Sequence, residues 1–364
     1  MLQLLVFTVV LILAFFINGV ATPLLIRLSH KHKWYDFADE RKIHPDKMPR
    51  IGGVGIFAGF ALAAFVYVVG CHVLDIKELN YLSKYSHLLM CIGYLIIVLM
   101  GLADDFYNLK AGLKFIIQII AALCITLGGF RFTIFSIAWT PVAIQLNTFW
   151  SHALTILWII SFCNAINLMD GMDGLAGGIA AIGAVFYIII FALAGNFTAL
   201  AVSACILGSI VAFLVFNYPP AKIYMGDSGS LLLGFSMAVI PLIHNEPPVS
   251  TDVLFPALLI FIIPILDMIG AIIRRWRKGL PIFSPDREHL HHKLQDFGLA
   301  PRQVLAVVYS FSVIAGSCAL MYSLMKGTVA ILFFFALWLF FALLFVLLHK
   351  KYRSFKKRQN QVFK

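Results

Sequence analysis

Charged residues are scarce in this chain. Only 12% of its 364 residues are Asp, Glu, Lys or Arg, against about 25% in a soluble globular domain. The chain therefore has too little polar surface to face water on every side, which excludes a soluble protein. Its six cysteines are scattered and form no CxxC pair, so neither a disulfide framework nor a cysteine-based metal site is indicated. The apolar N-terminus lacks a basic region and a small-residue cleavage site, so we expect a retained helix there.

Apolar segments of about 20 residues recur instead, the length that a helix needs to cross about 30 Å of hydrocarbon. Hydrophobic residues make up 61% of the chain. We predict an all-α, polytopic integral membrane protein whose residues 1–364 form one transmembrane domain with about eleven helices. The predicted spans are 2–26, 51–70, 86–103, 112–128, 151–168, 174–194, 197–216, 229–244, 252–272, 304–325 and 328–349.

Positive charge is distributed unequally between the two sets of connections that join these spans. Of 28 Lys and Arg residues, 24 fall on one side and four on the other, namely Lys77, Lys84, Arg131 and Lys326. By the positive-inside rule the rich side is cytoplasmic, the N-terminus is outside and the C-terminus is inside. The net charge of +11 therefore reflects topology, and we expect no nucleic-acid partner. The basic residues after 349 are predicted to lie on anionic lipid headgroups.

Most acidic residues share the predicted cytoplasmic side, and Asp267 alone lies well inside a span, with Arg274 and Arg275 as candidate ion-pair partners. Chemistry is therefore expected to face the cytoplasm. The connections that would carry it are 27–50, 104–111, 164–174, 217–228 and 273–303. On the other side, the alternating segment "RFTIFSI" predicts a short hairpin.

The segment "GLADDFYNLKAGLKFIIQ" contains the adjacent carboxylates Asp104 and Asp105, followed by Lys110 and Lys114. Neighbouring carboxylates at an interface repel each other, and a divalent cation or a bound cationic group relieves that repulsion. The alternative is a short loop whose acids are solvated and favoured by the dipole of the next helix.

Two further segments combine acids with glycine. In "NAINLMDGMDGLAGG", Asn167, Asp170 and Asp173 recur at a spacing of three and offer hard oxygen ligands that suit Mg²⁺ or Mn²⁺. The alternative is a polar helix break packed against other helices. In "IYMGDSGS", Asp227 is a candidate metal ligand; the alternative is that Ser228 or Ser230 simply caps the helix that follows.

Basic residues and histidines dominate the last two segments. In "RRWRKGLPIFSPDREHLHHKL", Arg287, His289, His291 and His292 suit recognition of a polyanion, and the spacing of His289 and His292 places them on one helical face. Zinc is not favoured, because no Cys or regular fourth ligand accompanies the histidines. In "DERKIHPDKMPRIGG", Lys47 and Arg50 precede a Gly-Gly helix start and are candidates to hold a phosphate. The alternative for both segments is a solvated loop that is basic only because cytoplasmic loops of membrane proteins carry an excess of Lys and Arg.

All five clusters fall on one predicted membrane face. Their side chains offer ligands for a hard cation together with Arg, Lys and His donors, which are the groups that phosphoryl transfer uses. A site at the edge of the bilayer would join a water-soluble phosphate donor to a lipid acceptor.

Taken in order, the five segments resemble the polyprenyl-phosphate N-acetylhexosamine-1-phosphate transferases along essentially the whole chain. The similarity is greatest to bacterial undecaprenyl-phosphate GlcNAc-1-phosphate transferases that begin O-antigen (lipopolysaccharide), enterobacterial common antigen or wall teichoic acid synthesis. The resemblance implies an eleven-span, N-out protein of the bacterial cytoplasmic membrane. It would transfer GlcNAc-1-phosphate from UDP-GlcNAc to undecaprenyl phosphate with Mg²⁺ or Mn²⁺, and release UMP.

The resemblance also implies roles for individual residues. Asp104 and Asp105 match an aspartate pair proposed to handle the lipid phosphate, and Asp227 matches a metal ligand. The segment that lines the nucleotide and metal site matches Asn167, Asp170 and Asp173. Lys114 matches a phosphate-contacting lysine, and either Lys47 or Arg50 matches an early cation. The loop that closes over the sugar diphosphate matches Arg287, His289, His291 and His292.

Several alternatives stay open at this stage. A sister branch uses UDP-MurNAc-pentapeptide, but the segments "MPRIGG" and "HLHH" favour the smaller sugar nucleotide, although another UDP-N-acetylhexosamine is not excluded. We expect direct attack of the acceptor phosphate, with a covalent intermediate on Asp104 or Asp105 as the rival mechanism. A membrane transporter is the remote alternative. Membrane lipids are expected partners, and homodimerisation is left open.

Overall fold

A computed structural model describes residues 2–35, 48–73, 84–136, 143–243, 254–281, 284, 286, 288–325 and 327–362. The prediction of an all-α protein is confirmed. The helices are α1 (Leu2–His32), α2 (Gly52–Val73), α3 (Lys84–Tyr107), α4 (Ala111–Leu127), α5 (Thr148–Met169), α6 (Leu175–Leu193), α7 (Phe197–Asn217), α8 (Gly226–Val239), α9 (Leu254–Ile260), α10 (Ile262–Arg277), α11 (Leu290–Asp296), α12 (Pro301–Leu324) and α13 (Thr328–Val362). The predicted hairpin is present as the antiparallel strands β1 (Ile134–Ser136) and β2 (Ala143–Gln145).

A multi-pass membrane protein is confirmed, whereas the count of eleven spans stays a prediction. Within the described residues, eight helices are long and apolar enough to cross a bilayer, and a ninth span results if α9 and α10 are counted together. The helices at Ala111–Leu127 and Gly226–Leu242 are apolar but shorter. A helix of 17 residues spans about 26 Å, slightly less than the hydrocarbon thickness of about 30 Å.

Helix α8 lies at the centre of the bundle and packs against α2, α3, α5 and α6. Almost every one of its residues is buried, including the serine hydroxyls of Ser228, Ser230 and Ser236. The close packing with α2 depends on small residues, because a Cβ at Gly53 would overlap the backbone of Gly229. In contrast, α13 exposes large apolar side chains along most of its length, as a helix facing lipid does. The polar start of α8 is thus held rigidly inside the bundle.

The chain bends by 77° between α9 and α10. Pro264 explains the position of the bend: it has no N–H to donate to the carbonyl of Ile260, the last residue of α9, and it is tolerated in the first turn of α10. The bend directs α10 toward the segment that contains α11.

The pairing expected for Asp267 is wrong. Asp267 accepts a hydrogen bond from Nδ1 of His289 (2.7 Å) and another from the backbone N–H of Leu290 (3.0 Å). Arg274 instead donates to Asp286, with Nη2 2.6 Å from Oδ2. Both carboxylates therefore attach α10 to the histidine segment.

The basic tail continues α13 as a helix to Val362 rather than ending near residue 349. The Tyr352 hydroxyl donates to Asp296 at the end of α11 (2.6 Å), and the Tyr352 ring contacts Phe297. The last turns of α13 therefore also brace α11.

Candidate active site

Two adjacent carboxylates near the end of α3 lie against the first turn of α8. Asp105 accepts hydrogen bonds from the backbone N–H groups of Asp227 (2.7 Å) and Ser228 (3.1 Å) and from the Ser228 hydroxyl (2.7 Å). These N–H groups are unpaired donors at a helix start, so Asp105 caps α8 from a different helix. The alternative, in which Ser228 or Ser230 caps this helix, is wrong, because Ser230 donates to the Gly226 carbonyl and Ser228 donates to Asp105.

Gly226 allows this close approach. Its φ of +71° lies in the left-handed region, which favours glycine. A Cβ at this position would lie 2.5 Å from Oδ2 of Asp105. Any larger residue would therefore push the carboxylate away from the start of α8.

Asp104, the other member of the pair, has different partners. Its Oδ2 accepts from Nζ of Lys114 (3.0 Å), and its Oδ1 accepts from the backbone N–H of Leu109 (2.8 Å). The same Lys114 Nζ lies 3.0 Å from Oδ2 of Asp227. Lys114 therefore bridges two carboxylates that are far apart in sequence.

Arg50 lies on the other side of Asp227. Its Nη2 is 3.3 Å from Oδ1 of Asp227, and its Nε is 3.3 Å from Oδ1 of Asp105. The side chains of Arg50 and Lys114 are 28% and 26% exposed, whereas the Asp227 side chain is 14% exposed. Two partly solvated cations thus flank one carboxylate, an arrangement in which each cation can exchange that carboxylate for an incoming phosphate.

More oxygen ligands lie in the last turn of α5 and directly after it. Asp170 occupies the position directly after the helix, with its N–H bonded to the carbonyl of Asn167. The Asn167 amide donates to the Ser230 hydroxyl (2.8 Å), and Asp173 accepts from the backbone N–H of Ala221 (3.1 Å). The spacing seen in the sequence therefore places the three side chains along one connection beside α8.

The Asp170 carboxyl is electrostatically unfavourable as an anion. Burial raises its pKa well above the ordinary value, and the negative charges of Asp227, Asp105 and Asp173 raise the pKa further, while Arg50 opposes them. A carboxyl in this environment gains from a cation at its side.

A polar cavity of about 340 Å³ joins these residues. It is lined by Arg50, Asn167, Asp170, Gly171, Met172, Asp173, Asn217, Tyr224, Met225, Gly226 and Asp227. Three of the five clusters singled out in the sequence thus line one cavity, and the aspartate pair reaches it through the contact of Asp105 with Asp227.

A second cavity of about 530 Å³ lies between α4, α5, α8 and α10. Its walls are largely apolar, with side chains such as Phe115, Leu157 and Ile272, and Lys114 and Arg275 add positive charge. Asn167 and Asp227 line both cavities. A polar chamber and an apolar groove therefore meet at one amide and one carboxylate.

The histidine segment adjoins the polar cavity. His291 is 1% exposed, and among the described residues neither of its ring nitrogens has a hydrogen-bond partner. Burial first, and then the neighbouring His292, lowers the pKa of His291 to about 3, so the ring is neutral at pH 7. The predicted shared face of His289 and His292 is wrong: His289 precedes the first residue of α11, and its ring lies parallel to that of His291 at 6.1 Å.

Comparison with known proteins assigns the chain to a family. Residues 87–245 match the family model described as glycosyl transferase family 4. A Bacillus subtilis (strain 168) protein named "Probable undecaprenyl-phosphate N-acetylglucosaminyl 1-phosphate transferase" is 32% identical over 95% of this chain and 94% of its own length. The chain belongs to the polyprenyl-phosphate N-acetylglucosamine-1-phosphate transferase family. It is therefore an enzyme, a transferase of sugar 1-phosphate to a polyprenyl phosphate.

Other relatives of the transferase differ in the lipid that their names specify. A "Decaprenyl-phosphate N-acetylglucosaminephosphotransferase" of Mycobacterium tuberculosis (strain ATCC 25618 / H37Rv) is 31% identical over 82% of this chain and 77% of its own length. An "Undecaprenyl-phosphate alpha-N-acetylglucosaminyl 1-phosphate transferase" of Salmonella typhi is 28% identical over 74% of this chain and 71% of its own length. The names agree on the sugar and differ in the prenyl chain.

The oxygen ligands in the polar cavity of the transferase fit a divalent cation whose coordination shell is completed by the substrate phosphates. Among the described residues no three His, Cys, Asp or Glu side chains are grouped as a preformed metal cage. Mg²⁺ is ordinarily held by one or two carboxylates together with waters and substrate phosphates, so a full cage is not required. Asn167, Asp170 and Asp227 offer hard oxygens on one cavity, which is the ligand type that Mg²⁺ and Mn²⁺ prefer.

Gly171 supplies the contact between the cavity wall and His291. A Cβ at Gly171 would lie 2.5 Å from Nε2 of His291, which has little room to move because it is buried. We expect Gly171→Ala to displace His291 and to lower kcat/KM by about 10- to 100-fold, the effect of misplacing a group that orients substrate. The measurement is steady-state transfer of labelled sugar phosphate to lipid.

A matched control uses Gly70→Ala, because a Cβ at Gly70 meets nothing within 4 Å and Gly70 lies in α2, near the end away from the site. This variant should retain wild-type kcat/KM. Equal kcat/KM values for the Gly171 variant and the control would contradict a role for the His291 contact.

Two predicted residues, Lys47 and Arg287, lie outside the described residues. Arg50, Lys114, Asn167, Asp170, Asp173 and Asp227 line one or both cavities. Asp104 and Asp105 lie beside them through Lys114 and Asp227, and His291 lies beside Gly171. His289 and His292 adjoin His291 and line neither cavity. Sequence reasoning missed the apolar groove entirely. Its walls come from four helices whose apolar side chains look, in sequence, like any lipid-facing surface, so no local signal marks it. It also missed Asn217, whose Oδ1 accepts from the backbone N–H of Gly174.

Proposed function

We propose that the transferase moves GlcNAc-1-phosphate from UDP-GlcNAc to undecaprenyl phosphate and yields undecaprenyl-diphosphate-GlcNAc and UMP. The observation that carries this proposal is the meeting of the polar cavity with the apolar groove at Asn167 and Asp227. A nucleotide sugar suits the polar cavity, and a prenyl chain suits the groove. The reacting phosphates would then meet beside Lys114, which contacts Asp227 and lines the groove.

In the proposed reaction an oxygen of the lipid phosphate attacks the β-phosphorus of UDP-GlcNAc. The new P–O bond forms as the bond between the β-phosphorus and the UMP oxygen breaks, and UMP leaves with that electron pair. The acceptor phosphate is largely dianionic at pH 7 because its second pKa is about 6, so it needs little help from a base. Lys114 and Arg50 bind and orient the phosphates on opposite sides of Asp227.

A bound Mg²⁺ or Mn²⁺ would neutralise charge on the diphosphate, held by Asp227, Asn167 and Asp170. Asp173 lines the same cavity and would complete the polar wall. We propose that this site faces the cytoplasm of a bacterial cell and that the product begins a cell-envelope polysaccharide such as O-antigen or teichoic acid.

The geometry favours direct attack over a covalent intermediate. Asp105 already accepts three hydrogen bonds and is buried, so it is poorly placed to act as a nucleophile. Both oxygens of Asp104 are also engaged, by Lys114 and by the backbone N–H of Leu109. Delipidated enzyme should therefore fail to exchange labelled UMP into UDP-GlcNAc, and exchange that persists without lipid would establish the covalent route.

Purified full-length protein tests the function itself. With Mg²⁺, UDP-[¹⁴C]GlcNAc and undecaprenyl phosphate, label should enter an organic-extractable product, and EDTA should abolish the transfer. Parallel reactions with other UDP-N-acetylhexosamines, UDP-MurNAc-pentapeptide and decaprenyl phosphate identify the preferred donor and lipid. Label that stays in the aqueous phase with every donor would refute the proposal, whereas transfer from another donor alone would reassign the sugar.

A further inference from the structure

Asp267 is a buried carboxylate that no step above uses. It lies in α10, is 1% exposed, and directs both of its oxygens to a single neighbouring segment. Oδ2 accepts from Nδ1 of His289, and Oδ1 accepts from the backbone N–H of Leu290. Burying a carboxylate is costly unless it is hydrogen-bonded and paired, so both contacts are needed to keep Asp267 in place.

The contact with Leu290 supplies a cap that the local sequence lacks. α11 begins at Leu290, and His289, at the preceding position, makes no side-chain capping bond. Asp267 takes that role from α10, as Asp105 does for α8, and accepts from a backbone N–H that has no partner inside the helix. The start of α11 is thus fixed to α10 rather than to its own loop.

The contact with His289 determines the state of the imidazole ring. An ionised carboxylate can only accept, so Nδ1 of His289 must carry the hydrogen, and Nε2 is the ring nitrogen left for another partner. The same contact fixes the plane of the ring, which lies within 5° of the His291 ring plane. His291 in turn abuts Gly171 on the wall of the polar cavity. A continuous series of contacts therefore runs from Asp267 to the site.

We infer that Asp267 is a positioning residue for the transfer reaction, which fixes the ring orientation and tautomer of His289 and aligns the His289–His291 pair with the polar cavity. This inference rests on the proposed function, in which the nucleotide sugar occupies the polar cavity whose wall at Gly171 abuts His291. Asp267 itself does not touch substrate. Carboxylates that orient metal-binding histidines typically account for about 10- to 100-fold in activity, and we expect an effect of the same size for this histidine.

The test is a double-mutant cycle in the full-length protein. Asp267→Asn keeps an acceptor for Leu290, but its amide group would donate toward His289 and favour the opposite tautomer. We expect Asp267→Asn and His289→Ala each to lower kcat/KM for UDP-GlcNAc by about 10- to 100-fold. Both changes abolish the same feature, the correctly oriented His289 ring. The kcat/KM of the double variant should therefore lie no more than about threefold below that of the worse single variant. Asp267→Glu, which retains the charge, should recover part of the loss.

Asn18→Leu is the matched control for a purely structural effect. It removes a buried hydrogen bond from the Asn18 amide to the carbonyl of Ser209, between α1 and α7. This variant should lower thermal stability while kcat/KM stays near the wild-type value.

The outcomes separate the two proposals. If the wild-type protein transfers label and the losses in Asp267→Asn and His289→Ala multiply, Asp267 acts independently of His289 and the inference is overturned. A wild-type protein that transfers no label refutes the proposed function instead. Coupled losses, with partial recovery in Asp267→Glu, support the positioning role.

Discussion

Replacing Asp227 with asparagine is expected to lower kcat by about 1,000-fold, the upper range for the loss of one group that stabilises transition-state charge. Asp227 lines both cavities and contacts both Lys114 and Arg50. Asparagine preserves the shape of the side chain but removes the charge that would hold a divalent cation. The rate of label transfer from UDP-[¹⁴C]GlcNAc to lipid, at saturating substrate, measures the effect.

Asp296→Asn provides a control with the same chemical change. Asp296 pairs with Tyr352 and Lys356 at the end of α11 and lines neither cavity, so this variant should retain activity. A second readout is independent of turnover: Mn²⁺ should raise the melting temperature of the wild type and of Asp296→Asn, but not that of Asp227→Asn. If the Asp227 variant retains both the Mn²⁺ response and a rate within threefold of wild type, Asp227 is not a metal ligand.

Asp105→Ala is expected to have the largest effect on folding. The substitution leaves the N–H groups of Asp227 and Ser228 and the hydroxyl of Ser228 without their acceptor, and it removes a partner of Arg50. Arg50 is partly solvated and loses little, whereas each buried donor left without its acceptor ordinarily costs about 1–3 kcal/mol. We expect a comparable fall in the free energy of unfolding, measured by denaturant titration in detergent, and inactive enzyme as a consequence.

Asp104→Ala is the natural comparison because it removes the neighbouring carboxylate. Its partner Lys114 is 26% exposed and retains its ion pair with Asp227. The fall in the free energy of unfolding should therefore be much smaller than for Asp105→Ala. Asp104→Ala should therefore yield folded protein with impaired turnover, whereas Asp105→Ala should yield unstable protein. Equal stability of the two variants would show that the capping contacts of Asp105 contribute little.

The sequence predicted the helices well because each apolar segment is long and clearly bounded. It also predicted which polar segments converge, since acids and bases far apart in sequence shared one side of a charge-partitioned topology. The hairpin followed from simple alternation in "RFTIFSI". These features depend on local composition or on summed charge, and both can be obtained without coordinates.

Pairings between distant helices were not predictable in the same way. Asp105 caps a helix that begins 121 residues later, and Asp267 caps one that begins 23 residues later, so neither sequence neighbourhood contains the partner. The serines at the start of α8 looked like ordinary local caps, and the tertiary contact replaced them. Adjacent aspartates looked equivalent in sequence, and both are buried, yet Asp105 anchors the start of α8 and Asp104 pairs with Lys114.

The shared wall at Asn167 and Asp227 also has a consequence for inhibition. A compound that joins a nucleoside-like group to a fatty chain through a compact anionic linker would occupy the polar cavity and the apolar groove at the same time. Such tethering makes the second contact intramolecular, and avidity can then exceed either separate affinity by about 10²- to 10⁴-fold. Two fragments that bind weakly, one in each compartment, are therefore a rational starting point for a potent blocker of this enzyme.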